Sequence, residues 1–195
     1  MDFWIKELDE RVLETAGRLF AELGYDGTSL EMIEAAVGRG SEESPLLKGG
    51  REKLYRAVIA WFYERDVAHL QEAMKETPHD VAGLHHLLDA FLDFVFQHPE
   101  VPGLWQQRAL KDAVDLAFVE EEFPPPLLMA LTAQGWEGVR PELDLRFLGW
   151  LMMWSARGFV HGGLPDRAGE QGLPEDPGAR QYFRDQMHSL VDRLV

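Results

Sequence analysis

Seven histidines, thirty-four acidic residues and no cysteine set the chemical repertoire of this 195-residue chain. The missing cysteines exclude a disulfide framework, a Cys-ligated zinc site and a thiol nucleophile. His85, Asp89 and Asp93 follow i, i+4, i+8 and would share one helical face, a spacing able to hold a hard or borderline cation. That face lies opposite or beside the Leu84, Leu88, Phe91, Val95 stripe, so a solvated polar face is the favoured reading, and no metal or cofactor is expected. The acidic run Glu120 to Glu122 has no base or nucleophile near it in sequence and reads as a solvated turn. Gly38-Arg39-Gly40 and Lys48-Gly49-Gly50 lack the full spacing of a phosphate-binding loop. No Ser/His/Asp set stands above chance, and an enzyme is not expected.

The large apolar side chains are the stronger lead. Trp61, Phe62, Phe91, Phe94, Trp105, Phe118, Met152 and Trp154 could line an apolar cavity, since Trp and Met give large, adaptable surface. Core packing is the competing role for each of them. With His85, His86, Gln106, Gln107 and Arg108 near, the expected ligand is a small, mostly apolar molecule with one polar group.

The elements that must position these residues read as helix after helix, with no credible alternating strand. Ile5, Leu8, Val12, Ala16, Leu19, Phe20 and Leu23 recur on one helical face, and Gly24 ends that helix. Thr28 or Ser29 can cap a second, short helix closed by Gly38 and Gly40. A short helix is expected around Glu42 to Lys48, a long one from Arg51 towards Met74, and others over Asp80–Gln97, Leu104–Val119 and Leu127–Gln134. Leu143–Val160 is apolar almost all round, which implies burial on more than one side. Ser155, Gly158 and Gly162 would let another helix approach it closely. Leu164 to Gly178 reads as a long loop, and the last helix repeats Phe183, Met187, Leu190 and Leu194 as a coiled-coil-like seam.

Composition is that of a folded chain, 46% apolar and 11% aromatic, and the formal charge is −15. The N-terminus lacks the basic flank and apolar block of a secretory signal. The longest apolar stretch, Phe147 to Trp154, is far short of the roughly 20 residues that span a bilayer. A cytoplasmic protein with no membrane partner is expected. The acidity itself opposes nucleic acid, because phosphate contacts need basic surface. Residues 1–65 carry nine basic and thirteen acidic side chains and residues 66–195 ten and twenty-one, so most of the negative charge belongs to the second part.

The front of the chain resembles the TetR family of transcriptional regulators. The residues that carry the resemblance are Ala16-Gly17-Arg18-Leu19-Phe20, Gly24-Tyr25 and Thr28-Ser29, then Ile33, Ala35, Ala36 and Gly38, and finally Arg51-Glu52-Lys53-Leu54-Tyr55. Gln97-His98-Pro99-Glu100 is similar to a further recurring feature of that family. The resemblance implies an all-α fold of about nine helices, with a helix-turn-helix DNA-binding domain over 1–50 and a ligand-binding and dimerisation domain over 51–195. It also implies a homodimer that binds palindromic double-stranded DNA, usually as a repressor, and is released by a small effector. Two half-sites lie about 34–36 Å apart, so a small change in head spacing loses register. Thr28 and Ser29 fall where the family contacts phosphate, and Arg51 on its phosphate-contacting lysine. Arg39, Ser41, Ser44 and Lys48 are the polar side chains that could face a groove. The dimer surface is expected on Phe147, Trp150, Leu151, Ser155 and Gly158 of the penultimate helix and Phe183, Met187 and Leu190 of the last.

The sequence departs from the family at the recognition helix. Positions 39 to 48 read Arg-Gly-Ser-Glu-Glu-Ser-Pro-Leu-Leu-Lys, with Pro45 and Lys48 where the family places an aromatic pair. Glu42 and Glu43 oppose phosphate approach, although a carboxylate can accept from cytosine N4. Two readings follow. Either the helix starts late, capped by Ser44 with Pro45 at its first position, or it is degenerate and the protein is a ligand-binding or interaction module that no longer reads DNA.

Overall fold

A computed structural model of the chain describes every residue except Met1, Glu76, Ala117, Asp166 and Arg167, with Asp2 to Ile5 described by backbone alone. Among the described residues there are ten α-helices: α1 (Asp2–Leu23), α2 (Leu30–Val37), α3 (Pro45–Lys48), α4 (Arg51–Met74), α5 (Val81–Gln97), α6 (Glu100–Ala109), α7 (Phe118–Glu122), α8 (Pro126–Thr132), α9 (Leu145–Gly162) and α10 (Pro177–Leu194). A 3-10 turn, Ser41–Glu43, precedes α3. The all-α class is as expected. Inside the segment read as a loop, β1 (Leu164–Pro165) pairs antiparallel with β2 (Gln171–Gly172), two residues each, where no strand was expected.

The chain folds as two compact units, one of residues through 65 with 103–123, the other of 66–102 with 124–195. In the first, α1 buries Leu8, Val12, Ala16 and Phe20, the face its spacing predicts. The early part of α4 answers with Leu54, Tyr55, Val58 and Phe62. Phe20, Tyr25 and Tyr55 gather with ring centroids 5.0–6.0 Å apart, the Phe20–Tyr55 pair edge to face. The helix expected over Leu104–Val119 is interrupted. α6 stops at Ala109, and Lys111 and Ala113 adopt left-handed backbone (φ 66° and 52°) before α7 begins.

In the second unit α5 packs against both α9 and α10 and buries Leu84, Leu87, Leu88, Phe91, Leu92 and Val95. Each of these three helices begins at an aspartate whose carboxylate accepts from the first free N–H groups: Asp80 for α5, Asp144 for α9 and Asp176 for α10. α8 crosses α9 at Gly149, where a Cβ would meet Leu128 Cδ2 at 2.3 Å. Gly158 has nothing within 4 Å of that position, so the close approach within the unit is at Gly149, not at Gly158.

Among the described residues one carboxyl group, that of Asp66, is buried without an ionic partner. Asp66 on α4 is 4% exposed, its Oδ1 has no hydrogen-bond partner, and burial pushes its carboxyl up to about 7. An unfolded chain releases that proton near the ordinary value of 3.8, so stability falls as pH rises between the two values. Asp66→Asn removes the penalty. Calorimetry should show a higher Tm for the variant, with a gain that grows from about pH 4 to pH 7 and then levels off, at a ceiling on the order of 4 kcal/mol.

Candidate nucleic-acid interface and apolar pocket

The second and third helices of the first unit form a helix-turn-helix built from local signals. Ser29 caps α2 by accepting from the Met32 N–H at 3.3 Å. Gly38 and Gly40 turn the chain with φ of 84° and 85°, a region that suits glycine. Pro45 then decides the next element. A proline disfavours helical backbone in the residue before it, and Ser44 is extended (φ −65°, ψ 124°). The recognition segment is therefore split into the Ser41–Glu43 turn and the four residues of α3, with Ser44 as N-cap and Pro45 at the start. The geometry matches the first of the two readings, a late start capped by Ser44, and the helix is four residues long.

The turn between α1 and α2 is held from two sides. Asp112, in the turn after α6, accepts from the Tyr25 N–H (2.6 Å) and the Asp26 N–H (3.0 Å). Gln107 Nε2 donates to the Ala21 and Glu22 carbonyls at 3.4 and 3.3 Å. On the other side Arg51 Nη1 donates to the Tyr25 and Thr28 carbonyls at 3.2 and 3.1 Å, its guanidinium 4.2 Å from the centre of the Tyr25 ring. Arg108 fixes the Asp112 turn by donating to the carbonyls of Asp112 (2.9 Å), Ala113 (2.5 Å) and Leu116 (3.2 Å) and to Glu120 (2.7 and 2.8 Å). Sequence reasoning gave Arg108 and Gln107 a ligand role and left Asp112 out, because its partners lie 86 and 87 residues away.

The residues expected at a DNA surface divide by exposure. Arg39 and Lys48 are exposed, Ser29 and Arg51 half-buried, and Thr28, Ser41 and Ser44 buried. The Thr28 hydroxyl donates to the Gly24 carbonyl at 2.7 Å, and the Ser44 hydroxyl donates to Asp9 Oδ1 at 2.7 Å. These hydroxyls are spent inside the fold, so they do not present themselves to a groove. Lys48 Nζ donates to the Glu43 carbonyl at 3.3 Å, and Glu42 and Glu43 are both exposed beside it.

The eight residues expected around an effector do not form one cavity. Trp61, Phe62, Trp105 and Phe118 belong to the first unit, and Phe91, Phe94, Met152 and Trp154 to the second. Phe62, Phe91, Phe94, Trp105 and Met152 are buried core, whereas Trp154 is 46% exposed. The second unit instead holds an apolar pocket of about 300 Å³ that none of them lines. Its walls are Val67, Leu70 and Met74 of α4 and Pro126, Met129 and Ala130 of α8, with Gln71 as polar contact. A larger cleft of about 550 Å³ runs along the hairpin and the start of α10, but Glu170, Asp176 and Asp185 line it, which suits water better than an apolar molecule.

Of the expected dimer surface, Phe183 and Met187 are buried within the chain, where Phe183 lies parallel to Phe159 at 4.5 Å. A seam period alone does not say which neighbour a helix meets. Phe147 and Gly158 are exposed, and Trp150, Leu151, Ser155 and Leu190 are partly so. With Trp154 they leave an apolar stripe along α9, opposite its buried Leu148, Met152, Ala156 and Phe159. No described helix is long and apolar enough to cross a membrane, and the described residues gather no group of three potential metal ligands.

The first unit thus carries a helix-turn-helix and the second an apolar pocket. The chain has the TetR-like fold. A ketosteroid transcriptional regulator of Mycobacterium tuberculosis matches it with a TM-score of 0.66 at 18% identity, over 96% of this chain and 94% of that one. A TetR family transcriptional regulator from Thermus thermophilus matches at 0.56 and 18%, over 95% of each chain. A transcriptional regulator from Aquifex aeolicus matches at 0.58 and 20%, over 94% and 99%. By sequence, no family profile and no curated protein matches.

The Asp112 contact is testable. Asp112→Ala leaves two backbone N–H groups without their carboxylate and should lower stability by about 2 kcal/mol, read as a lower urea midpoint with unchanged slope. Asp112→Asn keeps an acceptor and should lose less.

Proposed function

We propose that this protein is a TetR-like transcriptional regulator that binds palindromic DNA as a homodimer and responds to a small, mostly apolar effector, acting in the cytoplasm as a repressor. The observation that supports this most directly is the helix-turn-helix of α2 and α3, with its entry turn fixed by Arg51 and Asp112. Residues 1–50 are the DNA-binding part on this reading and 51–195 the effector and dimer part. Arg39, Lys48 and the α2 N-terminus at Ser29 contact phosphate. The dimer forms on the α9 stripe of Phe147, Trp150 and Trp154 together with Leu190. The pocket of α4 and α8 takes the effector, and its size suits a compact molecule. Such a ligand controls the protein by preferring one spacing of the two heads. The activity is binding, not catalysis.

The second reading, a TetR-like module that has lost operator recognition, is favoured by one feature: α3 is a single turn, preceded by exposed Glu42 and Glu43.

Selection of bound sequences from random DNA, at low and moderate salt, separates the two. The first reading expects a palindrome whose log affinity falls with log salt at a slope of about −4, since Arg39 and Lys48 from two heads neutralise about four phosphates. A folded dimer that enriches nothing at either salt supports the second. Neutralising the acids with Glu42→Gln and Glu43→Gln should raise affinity for random duplex at least several-fold if the head docks on DNA, and leave it unchanged if it does not.

A further inference from the structure

α5 and α10 meet along a ladder of polar side chains. Asp192 Oδ1 lies 2.8 Å from His85 Nε2, His85 Nδ1 lies 2.6 Å from His188 Nδ1, and His188 Nε2 lies 2.8 Å from Asp89 Oδ1. Arg184 continues the ladder to Asp89 (2.6 Å) and Asp93 (2.5 Å). The two imidazole planes are 8° apart with centroids separated by 4.6 Å. Rings stacked face to face need about 3.5 Å between planes, so atoms 2.6 Å apart cannot belong to such a stack. The rings are near-parallel but slid past one another, so that they meet at their Nδ1 edges.

Counting protons along the ladder leaves one solution. An ionised carboxylate only accepts, so each Nε2 carries a proton. Two neutral rings would then oppose two Nδ1 lone pairs, and two imidazolium rings would oppose two N–H groups. A single extra proton gives one donor and one acceptor. We propose that His85 and His188 bind one proton in common, as an imidazolium–imidazole pair between Asp192 and Asp89, and that this proton fastens α10 to α5. A tetrahedral zinc ion held by both Nδ1 atoms would need them about 3.3 Å apart, from its bond length of about 2.0 Å, so the observed separation fits a proton.

The surrounding charges favour it. α5 contributes Asp89 and Asp93, and α10 contributes Arg184 and Asp192, so the ladder without the proton carries an excess of two negative charges, which the proton halves. Arg140, ahead of α9, reaches the same end of α10 through the Arg193 carbonyl at 3.0 Å. α9 also packs on α5, and its ionisable groups Arg146, Arg157 and His161 lie outside its buried set. Burial pushes the Asp89 carboxyl up, but hydrogen bonds from His188 and Arg184 outweigh burial and hold it below the ordinary carboxylate range. Loss of the proton sets lone pair against lone pair, so the contact of α10 with α5 weakens as pH rises. The inference stands apart from DNA binding, although Leu190 of the proposed dimer surface is on the same helix.

Histidine ¹⁵N NMR of the full chain, with EDTA present throughout, tests it. Both rings should report protonated Nε2, and both Nδ1 signals should move together in a single one-proton step, which His188→Gln abolishes. Two Nδ1 atoms without a proton from about pH 6 to pH 8, or two independent titrations, overturn the proposal. A common signal that appears only when zinc replaces EDTA also overturns it, in favour of a metal site. A double-mutant cycle of His85→Gln and His188→Gln, read by urea unfolding, should show a favourable coupling at about pH 6 that is replaced by an unfavourable one at about pH 8.5. Additivity at both values counts against the shared proton.

Discussion

The backbone of the α1–α2 turn is satisfied by side chains from elsewhere in its unit, and the head takes its shape from them. A helix end leaves carbonyls without partners, and the tight turn after it leaves N–H groups in the same condition. Here Gln107 takes the Ala21 and Glu22 carbonyls, Asp112 takes the Tyr25 and Asp26 N–H groups, and Arg51 takes the Tyr25 and Thr28 carbonyls. The fit is close enough that a Cβ on Gly24 would lie 2.8 Å from Asp112 Oδ1, so glycine is needed there for space as well as for its φ of 77°. Holding Asp112 in place has its own cost, two left-handed residues at about 1–2 kcal/mol each. The Arg108 hydrogen bonds to three carbonyls and to Glu120 offset it. The entry angle of α2 thus depends on residues more than eighty positions downstream.

The exit from α2 is governed by a constraint of the opposite kind, contained in one residue. Pro45 makes Ser44 extended, Ser44 then points its hydroxyl to Asp9, and Leu47 fills the gap against the core at 4% exposure. The recognition element is anchored well and is short. The polar groups left outside are two cations, Arg39 and Lys48, and two acids, Glu42 and Glu43. A surface of this composition has little general attraction for phosphate, so on the proposed function recognition would depend on base contacts more than in a basic head.

How much of this was readable in the sequence follows the range of each interaction. Caps act within about three residues, and Ser29, Ser44, Asp80 and Gly24 do what their positions suggest. The α1 face was readable because a single period places Leu8, Val12, Ala16 and Phe20 together. The break after Ala109 was not, because Leu110 to Leu116 has the composition of a helix and is bent by Arg108 and by Asp112's distant partners. The pocket was missed for a related reason. Large aromatics such as Phe62 and Phe91 are the best core fillers, so they close the core, and the open apolar surface falls on the smaller set of Val67, Ala130 and Met129. Phe183 and Met187 show the same limit: their spacing identified a buried face, and the partner proved to be Phe159 of their own chain for the first of them.

The weakness of the head makes the proposed dimer more necessary to the proposed function. A one-turn recognition helix flanked by acids contributes few contacts, and a single head of this kind would hold DNA poorly. Two heads joined through one body bind differently, because the second encounters its half-site at an effective concentration near millimolar and avidity can exceed the single affinity by about 10²–10⁴. On the proposed function the α9 stripe is then the element on which DNA binding would turn. Phe147 is 58% exposed and Trp154 46%, with Trp150 stacked on Trp154 at 5.9 Å, and Gly158 leaves open space at the far end of the same face. Large rings at one end of the stripe and a bare backbone at the other are complementary when a second copy packs antiparallel by a twofold axis, each Phe147 meeting the partner's glycine end.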